Sequence, residues 1–455
     1  ARLAAFAGGL VLFAVLLSFS VIAAVVTLAV ALVLFAWLVI KYETTEKSRK
    51  RYLHLAEINR LELKCLEGDF SGFKSGEEYA ERDHPYSYDL DIFGKASLFQ
   101  YMCRTTSKPA SDRLAEYLKQ PGTLEEILLR QEAVAELQPL TDWRQELMTL
   151  GYLNAGAGND PAPLMQWLDS DDLFRKTGRE KIITGCLSLL ALAAVTAVIA
   201  GLPAGILAPV FGVNFIFYFT RFKRISKLQE QVSRSSDMLK AYSEIIRLIE
   251  NRKLTSPLLQ KLQSAFRDEI AASDRIRQLS KLVSRLDYRL NVLVSAPLNL
   301  LFFADIHFCL ALEKWKREHA PRIPGWFTAM AEFEALASMA NMAFNNPGWV
   351  YPQVTDDYFV FRAEEMGHPL IPAGRRISNG FATEGAGKAI IVTGSNMSGK
   401  STFLRTCGVN AVLAFAGAPV CASAFTVSLV RLHSSMRISD SLEENISSFY
   451  AELRR

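Results

Sequence analysis

The sequence predicts an α/β phosphate-loop domain near its carboxy-terminal end, preceded by an all-α region that carries transmembrane helical hairpins. Three observations predict this: two long apolar runs without a charge, helical periodicity over 221–345, and a glycine-rich loop between a β-branched run and a helical run. The 455 residues are enough for roughly three domains. Half of them are hydrophobic and 22% are charged, a balance that an ordinary water-borne enzyme does not show unless the apolar residues are concentrated. Lys and Arg (51) nearly cancel Asp and Glu (47), leaving +4, so any basic surface is local. The six cysteines and six histidines show no metal-ligand spacing and read as reduced thiols in a cytosol, with no structural metal. The chain lacks an initiator Met and stops inside a helical pattern at Glu452-Leu453-Arg454-Arg455, which reads as cut ends.

From Leu3 to Ile40 no residue is charged. At 1.5 Å per residue that run would stretch ~57 Å against a hydrocarbon thickness of ~30 Å. Two closely joined spans with Ser18-Phe19-Ser20 near the turn fit residues 1–40; one tilted span plus a leader is the alternative. A cleaved signal peptide fits poorly, because its apolar core is much shorter. The second run, Ile182 to Thr220, is interrupted by Gly201-Leu202-Pro203-Ala204-Gly205, which makes 181–220 a second hairpin. A buried pair of core helices is the competing reading, but such helices rarely lack a polar face altogether.

Basic residues flank the runs: Lys41, Lys47, Arg49, Lys50 and Arg51 after the first, Arg175, Lys176, Arg179 and Lys181 before the second, and Arg221, Lys223, Arg224 and Lys227 after it. Basic flanks favour the cytoplasmic side. The second run therefore crosses twice, and 41–181 and 221–455 share one compartment. The expectation is a multi-pass cell-membrane protein whose phosphate-loop domain is cytoplasmic. Neither run holds an Asp, Glu, Lys, Arg or His, as anchors rather than solute pathways would.

Between the runs, 41–85 reads as a linker helix and 86–180 as a helical region. After the second run, Leu228, Val232, Leu239, Ile246 and Ile249 recur at helical spacing. Ile276, Leu279, Val283, Leu286 and Leu290 step by three and four, the seam of paired long helices, so 221–350 reads as a lever of long helices. Residues 221–290 hold sixteen Lys or Arg against eight acidic residues. That excess suits phosphates of nucleic acid or anionic lipid headgroups; a solvated coiled-coil face explains it as well. Breaks at Pro321-Arg322-Ile323-Pro324-Gly325 and Asn345-Asn346-Pro347-Gly348 bracket one more helix, and short strands follow over 351–455.

The sharpest chemical signal is Gly394-Ser395-Asn396-Met397-Ser398-Gly399-Lys400-Ser401, a complete G-x-x-x-x-G-K-S. Ala389-Ile390-Ile391-Val392-Thr393 before it reads as a buried strand, and Ser401 through Phe415 as a helix. Strand, glycine loop and helix are the context the motif needs. Glycines let successive backbone N–H groups turn toward phosphate oxygens, and the helix N-terminus adds its positive end. Lys400 would reach the β and γ phosphates and the Ser401 hydroxyl would complete a Mg²⁺ shell, which makes ATP and Mg²⁺ the expected cofactors.

Thr393 through Thr402 resembles the TGPNMGGKST loop of the MutS mismatch-repair ATPases, with Ser395 for the usual Pro and Ser398 for a Gly. Asp89-Leu90-Asp91-Ile92-Phe93-Gly94, Ser97-Leu98-Phe99-Gln100, Arg104-Thr105 and Arg130-Gln131-Glu132-Ala133-Val134 are similar to the MutS core domain. Glu334 through Ala340 resembles the helix before its ATPase domain, Gly367-His368-Pro369 that domain's first strand, and Ser447-Ser448-Phe449 with Glu452 its signature helix. The resemblance is closest to membrane-anchored MutS-related proteins. It implies a MutS-type ATPase domain behind a MutS-core-like helical region, a homodimer through the ATPase domains, and Ser447 facing the γ-phosphate of the other subunit. An N-cap serine serving only its own helix is the plainer role for Ser447. Asn396 would sit beside the γ-phosphate, and Ile377 or a neighbour would cover the adenine.

Several departures from the family bear on function. The mismatch-reading domain and the clamp insertion have no counterpart, and Ser111 replaces a family Gly where a local turn is expected to differ. The Walker B carboxylates are expected beyond Arg455. Three functions follow: an ATPase whose dimer closure moves the helices, with double-stranded DNA as a further partner; a nucleotide-switched membrane scaffold binding protein or lipid without nucleic acid; and, disfavoured by few spans, an ABC-type transporter.

Overall fold

The computed structural model describes residues 2–153, 162–174, 177–233, 235–267, 270–356 and 358–436. The chain divides into two compact units, Ala1–Arg60 and Leu61–Arg455.

In the first unit, α1 (Arg2–Leu17) and the start of α2 (Val21–Leu66) are separated by a turn at Ser18–Ser20, where the Phe19 and Ser20 amides donate to the Leu16 carbonyl. Gly9 has no room for a Cβ against Ala31, so the two helices pack closely. Apolar side chains on both helices face outward: Val11 is 65% exposed, Ile22 78% and Val33 70%. Of the two, α2 is long and apolar enough to cross a bilayer, while α1 is a shorter apolar helix. α2 continues without a break through most of the expected linker helix.

Among its described residues the second unit is mostly helical with one small mixed sheet. Its first helices are α3 (Leu98–Met102), α4 (Lys108–Lys119), α5 (Leu124–Leu137), α6 (Thr141–Leu153) and α7 (Ala162–Asp169). Ser97, Ser107 and Thr123 cap α3, α4 and α5, each side chain accepting an amide of the first turn, and Thr123 with Glu126 forms a full capping box. α4 runs unbroken through Ser111, so the backbone there is helical. The buried Ser111 hydroxyl instead lies 2.6 Å from Thr105 Oγ1.

The second apolar run folds as α8 (Thr177–Ile199) and α9 (Leu207–Val232), which pack together across the Gly201–Pro203 turn. Then come α10 (Ser235–Glu250), α11 (Pro257–Ser264), α12 (Ala272–Asp287), α13 (Val292–Phe302), α14 (Ala304–His319) and α15 (Ile323–Asn345). The seam read from sequence is the buried face between α10 and α12, holding Leu239, Ile246, Ile276, Leu279 and Val283. The long lever expected over 221–350 is instead broken into shorter helices. Pro257 and Pro324 sit in first turns, where a missing N–H costs nothing, and Leu290 falls outside the seam at 71% exposure. α15 is the core helix, buried along nearly its whole length against α4, α5 and α6.

The sheet contains β1 (Gln353–Thr355), β2 (Val360–Met366), β3 (Asn379–Glu384) and β4 (Ala424–Ser428) in the order β1-β4-β2-β3, with β1 and β4 parallel and the other pairs antiparallel. α16 (Lys400–Ala416) follows the glycine loop. Ala389–Thr393 does not form the expected strand. Among the described residues no strand lies beside it to complete a ladder, and Ile391 stays 85% exposed.

Candidate functional site

The glycine loop ends at the N-terminus of α16. Gly399 caps the helix with φ 90°, a left-handed conformation that suits glycine, and Met397 adopts φ 64° with its side chain fully exposed. Ser398 N–H donates to the Ser395 carbonyl at 3.3 Å, closing a turn, and Phe403 N–H donates to the Gly399 carbonyl at 2.8 Å, starting the helix. Lys400 reaches back over the loop, and its ammonium donates to the carbonyls of Gly394 and Ser395, each at 2.7 Å.

Beside the loop lies a hollow of about 450 Å³, within the size range of small-molecule sites. Val392, Thr393, Met397, Ser398, Gly399, Lys400 and Thr402 line one side; His368, Ile371, Arg375, Ile377 and Asn379 line the other, with Phe403 and Thr406 of α16. Ile377, expected to cover a base, thus shares a cavity with the loop although it lies far from it in sequence. Asn396 and Ser401 are exposed and do not line it. Burial, followed by the positive charge of Arg405, pushes His368 down to about 4, so its imidazole is neutral at ordinary pH. Arg375, Phe403 and Thr406 had no signal in the sequence beyond their neighbourhood. Ser447, Ser448, Phe449 and Glu452 lie outside the described residues.

The motifs scattered along the helical region converge behind this loop. Arg405 of α16 pairs with Asp91 at 2.8 Å, and Leu90 fills the space left by Gly408. Arg130 packs against Gly417 at the far end of α16, and Gln131 donates to the Pro352 carbonyl at 3.0 Å. Asn410 of α16 donates to the Gly367 carbonyl at 3.0 Å and accepts from Cys421 N–H at 2.8 Å, tying the helix to the end of β2 and to the approach to β4. Arg104 N–H donates to Ser338 Oγ at 3.1 Å, while its guanidinium pairs with Glu62. Gly367-His368-Pro369 follows β2 rather than forming a strand of its own.

A glycine loop at a helix N-terminus, opening on a cavity with a lysine at its rim, defines a candidate phosphate site. Residues 390–455, which begin just before that loop, match the model of MutS domain V. The chain is MutS-related. It is 34% identical over 143 residues to the DNA mismatch repair protein MutS of Roseobacter denitrificans, covering 29% of this chain and 16% of that protein. To the MutS of Granulibacter bethesdensis it is 33% identical over 150 residues, 31% of this chain and 16% of the relative. A longer match, 27% identical over 241 residues, covers 51% of this chain and 26% of a Cereibacter sphaeroides MutS. The matched region thus spans about a sixth to a quarter of these relatives' length.

Proposed function

We propose that this chain is a membrane-anchored MutS-type ATPase with an ABC/MutS-type phosphate-loop domain, in which nucleotide binding at 394–402 is coupled to the helical region through α16. The observation that carries this reading is the shared cavity of Lys400, Thr402, His368 and Ile377 beside the loop. Its residues fit ATP. A lysine and backbone donors at a helix N-terminus suit phosphates, and Ile377 and Ile371 offer an apolar wall for a base. Bound Mg²⁺ would offset phosphate charge, with the Ser401 hydroxyl as the protein's ligand to it. Lys400 would exchange its two carbonyl partners for phosphate oxygens, and Asn396 would contact the γ-phosphate. Ser447 of a second copy would complete the site in a homodimer. Movement of α16 would pass through Arg405–Asp91 and Gly408–Leu90 into the helical region.

Membrane anchoring is supported by three helices among the described residues that are long and apolar enough to cross a bilayer, Val21–Leu66, Thr177–Ile199 and Ala204–Val232. The basic flanks of these helices favour a cytoplasmic nucleotide domain at the cell membrane. The test is ATP binding and hydrolysis by the protein in lipid nanodiscs, compared with Lys400→Ala. Saturable Mg²⁺-dependent ATP binding that the variant loses is expected; no binding by the unaltered protein refutes the reading.

A second reading, a nucleotide-switched scaffold that binds protein or lipid without nucleic acid, draws support from the basic stretch itself. Arg221 pairs with Glu180, Arg247 with Asp274 and Arg289 with Asp305, so part of its charge is spent internally. Co-sedimentation with anionic vesicles, with and without duplex DNA, separates the two readings.

A further inference from the structure

We infer that residues 290–304, which the two-hairpin reading leaves outside the membrane, form a re-entrant loop that dips into the bilayer beside α9 and leaves on the side it entered. This inference rests on the reading of α8 and α9 as a membrane hairpin. The stretch Leu290-Asn291-Val292-Leu293-Val294-Ser295-Ala296-Pro297-Leu298-Asn299-Leu300-Leu301-Phe302-Phe303-Ala304 contains no charge. Its helix α13 packs against α8 and α9, and its outer face is bare, with Leu293 88% and Val292 71% exposed, as is Leu290 just before it at 71%. Apolar side chains this exposed, continuous with the apolar faces of α8 and α9, call for acyl chains as their cover. α13 has 11 residues, ~16 Å at the helical rise, too short to cross a ~30 Å core. After it the chain turns by 83°, at Phe303, whose φ of 50° is held by full burial and an edge contact with Phe217.

The ends of the loop are tied together. Arg289, just before it, and Asp305, just after it, form a buried ion pair at 3.3 Å. Tyr218 donates its hydroxyl to Asp305 at 2.7 Å, and Arg289 donates to Ser226 at 2.9 Å and Gln229 at 3.0 Å. Ser226 and Gln229 lie on α9 beyond Arg221, its first charged residue, and Tyr218 lies less than one turn before it, so both ends of the loop meet near the headgroup zone. Inside the apolar zone, the last carbonyls of a helix lack intrahelical partners and water is absent. There Asn214, a fully buried polar residue of α9, donates its amide to the Leu300 carbonyl at 2.8 Å. A hollow of about 860 Å³ between α9 and α13, lined by Phe211, Phe215, Tyr218, Phe222 and Leu301, would be filled by lipid chains.

The test uses nitroxide labels on the full chain in lipid nanodiscs, in a Cys407→Ser background, reading collision with oxygen, which concentrates in lipid, against a water-soluble nickel chelate. Cys186, exposed on α8, reports on the hairpin; Leu293→Cys and Leu298→Cys, each with Cys186→Ser, report on the loop. Oxygen collision exceeding nickel collision severalfold at 186 and at either loop position supports the inference. Lipid-like behaviour at 186 with free nickel access at 293 and 298 overturns the re-entrant loop and leaves the hairpin intact. Free nickel access at all three overturns the hairpin reading and this inference with it.

Discussion

The Lys400 ammonium lies 2.7 Å from the carbonyl oxygen of Gly394, and at the same distance from that of Ser395, so the cation expected to meet phosphate is held by its own loop. ATP must draw it away, exchanging two carbonyl contacts for charged oxygens. Hydrogen bonds to charged groups contribute about 1.5–3 kcal/mol each. Lys400→Ala is therefore expected to weaken ATP binding by about 10- to 100-fold. Because the lost contacts are exposed, stability should change by less than ~0.5 kcal/mol. Titration calorimetry with ATP and a thermal melt of the same sample check both; unchanged affinity would mean that Lys400 does not touch the nucleotide.

Gly408 and Leu90 meet where the helical region rests on α16, and a Cβ at 408 would run into the Leu90 side chain. Gly408→Val is expected to destabilise the protein by about 1–3 kcal/mol, the usual cost of overpacking, and to separate the loop helix from the 89–94 segment. Asp91→Ala, which removes a partly exposed ion pair with Arg405, should cost less than ~1 kcal/mol. Denaturant unfolding of the two variants gives the ranking; a larger effect from Asp91→Ala would show that charge rather than packing holds this junction.

Glu334 on α15 receives four donors from the start of α4: the Thr106 and Ser107 amides at 2.7 and 3.2 Å and both hydroxyls at 2.8 Å. A carboxylate at a helix N-terminus also meets the positive end of the helix dipole. Glu334→Ala would leave buried donors without partners, each costing about 1–3 kcal/mol. The expected loss is about 3 kcal/mol, read as a lower unfolding midpoint in urea, with α4 amides losing protection from hydrogen exchange. Protection unchanged at 107–111 would place the stabilisation elsewhere.

These contacts mark what the sequence could and could not disclose. Helix boundaries were legible wherever a local signal exists: Pro324 opening α15, the Asn345-Asn346-Pro347-Gly348 stop, and the Gly201–Pro203 turn between α8 and α9. The loop and its helix were legible because their chemistry is contiguous. Ala389–Thr393 was misread because β-branched composition favours a strand only when a neighbour supplies the ladder. The long lever was misread because a seam repeating every three or four residues fits two short packed helices as well as two long ones. The apolar stretch 290–304 was passed over because its length matches no span, and only the Arg289–Asp305 pair shows that its ends meet.

Binding to duplex DNA, as part of the favoured reading, carries a quantitative signature. Each phosphate neutralised contributes about −0.9 to the slope of log affinity against log salt. If residues on the 221–290 stretch make the contacts, Arg277→Glu and Lys281→Glu on α12 should each lower affinity and reduce the slope by about one, without changing ATP binding. Electrophoretic shifts across a salt series would show this. Affinity independent of salt would transfer the charge excess to another partner.

Glu313 supplies the pH dependence. It is fully buried on α14, accepts from the Leu173 amide at 3.0 Å, and is pushed up to about 7 by burial first and by its contact with Asp172 second. Asp172 is held below its usual range by that same contact and, after the cost of its own burial, by Arg317 at 3.0 Å; Lys316, whose ammonium lies 3.2 Å from Ser170 Oγ, adds positive charge nearby. An acid whose folded value is raised binds its proton more tightly folded than unfolded, so its protonated form favours the native state. The stability it adds is complete below its ordinary value of 4.5, falls as the pH rises toward 7, and changes no further above that. Asp172 acts in the opposite direction and only near and below its ordinary 3.8, outside the window from 4.5 to 7, while His368, held down to about 4, opposes Glu313 up to its ordinary 6.5 in parent and variant alike. The unfolding midpoint of the solubilised protein should therefore carry a downward component across that window, which Glu313→Gln removes because a neutral amide has no proton to lose. Equal slopes in the parent and Glu313→Gln would show that Glu313 does not ionise within this range.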